Sequence, residues 1–259
     1  MLYQILALLI WGSSFIAAKY SYEMLDPTLM VEARLLIAAL MVLPSCRRHL
    51  GRIPRSEWKP LLWISFVNYV VVLMLQFIGL KYTSAASAIT MVGLEPLLVV
   101  FVGHFFFNDK AKLYHWICGA VAFAGVIRPS QQMIARIGAP AFTAASMAVA
   151  AVLCLPFSLV LADSYQINWS WGGTLSILYM GIGCSWLAYL LWNKGMNTVP
   201  ANVSGLLISL EPVIGVIMAV LILGEHLSTM SAIGITVVIV STFVTGMLAR
   251  VSNKHKNAV

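Results

Sequence analysis

The chain has 259 residues, of which 61% are hydrophobic and only 10% charged, with a net charge of +7. Soluble domains average about 45–50% apolar and about 25% charged residues. A mean hydropathy of +0.91 over this length excludes a water-soluble globule. The basic excess therefore asks for no nucleic-acid partner; its placement reports orientation in a lipid bilayer.

Nine apolar segments follow one another along the chain. The first covers about Leu2–Tyr22, the second Pro27–Ser45, the third Trp58–Lys81, the fourth Ser84–Phe107 and the fifth Ala111–Ile127. Four more lie at about Ala139–Leu161, Ser170–Lys194, Ala201–Leu223 and Ser228–Ala249. Each is read as a helix, because hydrocarbon cannot satisfy an open backbone and a crossing needs about 17–25 residues. The opening "MLYQILALLIWGSSF" lacks the basic stretch and small-residue cleavage site of a signal peptide, so it is expected to remain as the first helix. Cys46, Cys118, Cys154 and Cys184 show no C-x-x-C spacing and read as small core residues rather than metal ligands. No metal or cofactor is expected.

The loop "CRRHLGRIPRSEWK" carries Arg47, Arg48, Arg52, Arg55 and Lys59, which places it and the N-terminus in the cytoplasm. The basic tail, with Arg250, Lys254 and Lys256, asks for the same side, as do Arg128 and Arg136. Nine full crossings would put the tail outside. Two resolutions are open. Either Ala111–Ile127, marginal in length, is less than an ordinary crossing, or the second half of the chain is reversed.

An internal repeat bears on this conflict. An offset of 116 carries Gly79 to Gly195, Ala85 to Ala201, Leu94-Glu95-Pro96 to Leu210-Glu211-Pro212, and Asp109 to Glu225. Pro27 and Pro44 resemble Pro140 and Pro156. Segments two to five thus correspond to segments six to nine, and the counterpart of the first segment is reduced to the short polar "RPSQQMIARIG".

The ordered motifs resemble the drug/metabolite transporter superfamily in its EamA-like branch. "WGSSFIAAK" is similar to that family's first-helix opening and "VEARLLIAALMVLP" to its second. "LAYLLWNKGMNTVPANVSGLLISLEPVIGVIMAVLILGEHLS" carries the A-Y-x-x-W, L-E-P and L-G-E signatures in order. The resemblance implies an all-α polytopic membrane protein of two inverted repeats of about five helices, residues 1–127 and 128–259. Measured against it, most of a sixth helix is absent, about 30 residues, or one helix and a turn at about 1.5 Å rise per residue. The implied function is secondary transport of a small organic metabolite or drug, amino-acid-like solutes included, across the inner membrane by alternating access. The implied partners are a small-molecule substrate and the bilayer, with a homodimer left open. A non-transporting remnant or subunit is the alternative. An intramembrane enzyme built on Glu95 and Glu211 finds no accompanying G-x-S-x-G or H-E-x-x-H motif.

Glu95 and Glu211 each precede a proline inside an apolar run, and such carboxylates face a partner or a wet cavity. Pro96 and Pro212 are read as helix kinks that release the carbonyls of Val92 and Ile208. Two roles stay open for the glutamates: neutral contacts at the kinks, or coupling to substrate or protons. Trp11, Ser14, Asn68, Gln76, Trp186 and Tyr189 complete the candidate substrate-binding set, with Trp186 and Tyr189 three apart on one helical face. Lys19 and Arg34 are expected to extend toward the membrane surface. His104 reads as a packed core residue, and Ala120 with Ala124, or Gly215 with Ala219, as close-packing pairs.

Overall fold

In the computed structural model the described residues are 1–93, 130–199, 204, 207–208, 210–225, 229, 232–233 and 236. Every regular element among them is helical. In chain order they are α1 (Leu2–Ser21), α2 (Pro27–His49), α3 (Arg55–Lys81), α4 (Ala85–Gly93), α5 (130–137), α6 (Ala139–Leu161), α7 (Trp171–Met196) and α8 (Glu211–Leu223). Five of them, α1, α2, α3, α6 and α7, are long and apolar enough to cross a membrane. Large apolar side chains such as Leu75, Val152 and Val160 point outward, as a lipid-facing surface requires. The fifth apolar segment, most of the fourth and ninth, the basic tail, Cys118 and His104 lie outside the described residues.

Local chemistry sets the helix starts. Asp26 caps α2 by accepting from the Thr28 N–H at 2.9 Å, and Pro27 occupies the first turn, where a missing N–H costs nothing. Ser170 does the same for α7, accepting from Gly173 N at 3.0 Å. α3 begins at Arg55 rather than Trp58, since Pro54 precedes it and its first turn is polar. Gly138, with φ of 85°, turns the chain sharply between α5 and α6. α5 is the helical remainder legible in "RPSQQMIARIG", anchored by buried Met133 and Ile134.

The repeat governs helix shape as well as sequence. The offset of 116 carries the start of α3 at Arg55 to the start of α7 at Trp171. It also carries a π-helical stretch, Phe66–Val71 in α3, into another, Met180–Leu187 in α7. An offset of 112 carries Pro27 to Ala139 and the interior Pro44 to the interior Pro156, so α2 and α6 are counterparts. These two pack against each other along their length and run antiparallel. Thr28 Oγ1 donates to Ser158 O at 3.3 Å near one end, and Ser45 Oγ to Pro140 O at 3.4 Å near the other. Antiparallel counterparts are what an inverted repeat produces.

Polar contacts define two faces. On the first, Arg136 pairs with Glu57 at 2.6 Å, Gln4 donates to Ser204 Oγ at 2.7 Å, and Gln131 donates to Met196 O at 3.2 Å and Val199 O at 2.9 Å. On the second, Lys81 lies 2.8 Å from Asp163 and 3.7 Å from Asp26. Here Glu225 also caps α4, its two oxygens accepting from Ala85 N at 3.0 Å and Ala86 N at 2.8 Å. Tyr22 donates to Phe77 O at 2.6 Å, and burial pushes its phenol well above the ordinary range. Helices α1, α3 and α6 therefore run from the first face to the second, α2 and α7 return, and the shorter α8 points toward the second face.

Close backbone approach fixes two crossings. A Cβ on Gly12 would stand 3.1 Å from Gly215 N, and one on Gly181 would stand 2.6 Å from Ile37 Cβ. Gly181→Ala should therefore force α2 and α7 apart and destabilise the protein by about 1–3 kcal/mol, read as a lower melting temperature in detergent. Gly79→Ala, where nothing lies within 4 Å, should leave it unchanged or slightly raised. The two faces are testable by single-cysteine labelling with a membrane-impermeant maleimide. Cysteines at Arg136 and Arg55 should label from one side, and a cysteine at Asp163 only from the other.

Candidate functional site

The two π-helical stretches face the middle of the helix bundle. A π turn lengthens the backbone hydrogen bond to the fifth residue, leaves a carbonyl without its usual partner, and is common at functional sites. In α7 an indole meets that need: Trp11 Nε1 of α1 donates to Cys184 O at 2.9 Å. The Trp11 ring packs edge-on against Tyr189 at 4.7 Å and tilted against Trp192 at 5.4 Å. Tyr189 meets Tyr69, from the π stretch of α3, at 4.7 Å. Residues from α1, α3 and α7 thus build one aromatic cluster at the bundle centre.

Two of the hydrogen bonds between the halves are related by the repeat. Arg34 Nε of α2 donates to Ser185 Oγ in the π stretch of α7 at 2.8 Å. Ser146 Oγ of α6, which also meets Thr143 O at 3.2 Å, shares a long hydrogen bond of 3.5 Å with Tyr69 OH in the π stretch of α3. The offset of 112 takes Arg34 to Ser146, and the offset of 116 takes Tyr69 to Ser185. The two bonds are therefore repeat-equivalent: each half's second helix reaches the other half's π stretch.

The structure corrects the expectation for Arg34. Its side chain does not extend to the membrane surface; it is 1% exposed, with its guanidinium 4.9 Å from the centre of the Phe77 ring. Two residues along a helix point to nearly opposite sides. Glu32 accordingly turns away from Arg34, toward the Cys154 thiol on α6, and both its carboxylate oxygens are buried. Lys19 behaves differently. Its ammonium reaches the end of α3, donating to Leu80 O at 3.0 Å and to Thr83 O, as a cation at a helix C-terminus should.

Of the sequence candidates, Trp11 and Tyr189 meet in the cluster, and Ser14 is buried on α1 three residues after Trp11. Asn68 is half-buried in the α3 π stretch, Gln76 half-buried farther along the same helix, and Trp186 half-buried in the α7 stretch. The π turn changes the helical spacing, and among the ring contacts of the described residues Tyr189 joins the cluster while Trp186 does not. Glu211 lies within electrostatic reach of Cys184 and Tyr189. It is the first residue of α8, so Pro212 occupies a first turn instead of kinking a helix interior. Leu210 N bonds back to Leu207 O at 3.0 Å, which marks the break just before it. Glu95 and Pro96 lie outside the described residues. Arg34, Tyr69, Ser146 and Ser185 were missed by sequence reading. The two offsets, applied together, carry the signal that relates them.

An open groove of about 300 Å³ runs beside this centre, lined by Ser13, Ala17, Tyr20, Ser176, Tyr179 and Ile222 among others. Ser13 Oγ and Tyr179 OH share a hydrogen bond of 2.5 Å on its wall. Among the described residues no group of three or more His, Cys, Asp or Glu side chains is arranged to hold a metal ion.

Comparison with known proteins places this architecture. A Haemophilus influenzae protein described as uncharacterized is 61% identical over 110 residues, 42% of this chain and 86% of its own length. An uncharacterized transporter of Archaeoglobus fulgidus is 23% identical over 275 residues, covering 93% of this chain and 94% of its own. A crystal structure of a protein 19% identical in sequence superposes with a TM-score of 0.64, covering 96% of this chain and 98% of that one, and shows the same fold. The model of the EamA-like transporter family matches twice, over residues 1–128 and 129–247. Two family matches, transporter relatives and antiparallel helical counterparts lead to one conclusion: the chain belongs to the EamA-like transporter family, whose members are membrane transporters of small solutes and not enzymes.

Proposed function

We propose that the protein is a secondary carrier that moves a small organic metabolite or drug across the cytoplasmic membrane by alternating access. One observation carries the reading. The two halves, 1–127 and 128–259, engage each other through repeat-equivalent bonds at the bundle centre, Arg34 to Ser185 and Ser146 to Tyr69. Related contacts of this kind let one half rock against the other about a central site, the usual geometry of secondary carriers. The first face is cytoplasmic in this reading, since it carries Arg55, Lys59 and Arg136. In a bacterium that membrane is the inner one.

Trp11, Ser14 and Tyr189 form the core of the substrate site, with Asn68, Gln76 and Trp186 at its margins. Glu211 lies at the positive end of α8, a place where a carboxylate is stabilised. It supplies polarity or coupling there, and Glu95 is its repeat partner. Pro212 marks the start of α8 beneath the site and Pro96 its counterpart.

Proteoliposomes holding the purified protein test the carrier reading. Counterflow of at least one labelled metabolite from an amino-acid, nucleoside and amphipathic-drug panel is the expected result. Absence of flux for every class, in protein that melts cooperatively, would instead assign the chain to a packing subunit. Glu211→Gln should change the dependence of flux on pH between about pH 5 and about pH 8 while leaving membrane insertion intact. An unchanged profile would reduce Glu211 to a packing role.

A further inference from the structure

Among the described residues no ion pair is made to the buried charge at the centre. Arg34 is 1% exposed, and a guanidinium stays protonated in proteins. Its Nε is satisfied by Ser185, and its π face rests on Phe77. Its Nη1 is buried with no hydrogen-bond partner. Among the described residues the titratable groups in its electrostatic reach are the Cys184 thiol and the Tyr189 and Tyr22 phenols, none of them a carboxylate. Glu32, two residues away, turns to α6 and Cys154. A cation buried in this way is costly unless something pairs with it.

We propose that the transported solute brings an anion to this cation: Arg34 is the anchor for a carboxylate, and the substrate is a small organic acid or zwitterion with an apolar or aromatic body. This deepens the carrier reading and rests on it. Ser185 and Phe77 hold the guanidinium from two sides and leave its Nη1 edge to donate to a carboxylate oxygen, as arginine does to carboxylates generally. The surroundings select an organic anion over an inorganic one. Tyr189, in reach of Arg34, joins Trp11 and Tyr69 within 4.7 Å, and Phe77 continues to Phe15 at 5.9 Å. Rings of this kind accept an apolar body and offer a bare phosphate or chloride little. The repeat counterpart of Arg34 is Ser146, so the site is one-sided in charge although the helices around it are paired.

The test measures binding to wild-type protein in lipid nanodiscs by quenching of tryptophan fluorescence, with Trp11 and Trp192 as reporters in the cluster. The probes are phenylacetate and L-phenylalanine, their amides, sodium phosphate and sodium chloride. Wild type should bind each acid about tenfold or more tightly than its amide, the value of a charge-assisted hydrogen bond. Arg34→Gln should bring that ratio to about one, and Arg34→Lys should retain part of it. Ser185→Ala, a small change that frees the guanidinium, should lower the ratio several-fold, and it decides the matter if Arg34→Gln fails to fold. Equal binding of acids and amides by wild type overturns the proposal. So does a ratio untouched by Ser185→Ala and Arg34→Gln, or quenching by phosphate or chloride alone. Acid-selective binding without counterflow keeps the anchor and removes the carrier reading. Counterflow of neutral solutes with no acid binding does the reverse.

Discussion

Hydrocarbon offers no partner to a backbone carbonyl or a charge, and the centre of this protein is organised by how that demand is met. The π stretches of α3 and α7 open the helix backbone inside the bundle, and Trp11 answers the opened Cys184 carbonyl with its indole N–H. That bond fixes the plane of the Trp11 ring, and the ring in turn seats Tyr189 and Trp192. Removing the indole N–H would leave a buried carbonyl orphaned and loosen three rings at once. The aromatic cluster is thus a consequence of backbone chemistry as much as of apolar packing.

The repeat makes the bundle symmetric in shape but not in charge. α2 and α6 are counterparts, yet α2 carries Glu32 and Arg34 where α6 has Ala144 and Ser146. Alanine and serine make α6 a smooth surface that the bulkier α2 can lie against along its whole length. The π stretches divide in the same way, with Tyr69 on α3 and Ser185 on α7. Each large polar group thereby meets a small one across the halves: Arg34 finds Ser185, and Tyr69 finds Ser146. Two large groups at either crossing would not fit; two small ones would leave a void.

Much of this was legible in the sequence. Apolar runs of crossing length marked α1, α2, α6 and α7 within a few residues, because length and hydropathy are what a bilayer selects. The offset of 116 was visible from its glycines and Glu-Pro pairs, and Trp11 and Tyr189 were both among the candidate residues, although Tyr189 was paired with Trp186. Arg34 was not legible. Near a helix end an arginine ordinarily extends to the interface, and only tertiary packing reveals that Ser185 and Phe77 enclose this one. The π turns were equally hidden, since they arise from the fit of α3 and α7 to their neighbours and have no residue signature. Trp186 illustrates the consequence, because three-residue spacing predicts a shared face only for a regular α-helix. Pro212 shows the other failure: a proline in an apolar run reads as a kink whether it interrupts a helix or begins one.

The described ends show how the inverted relation is kept. Ala85 opens α4 on the second face, where Glu225 caps it, while Arg136 stands on the first face beside Glu57, just before α6. α6 therefore starts from the face on which α2 ends and runs antiparallel to it. Each second helix then enters the centre from the opposite side, and that relation is what brings Arg34 and Ser146 to opposite sides of one site.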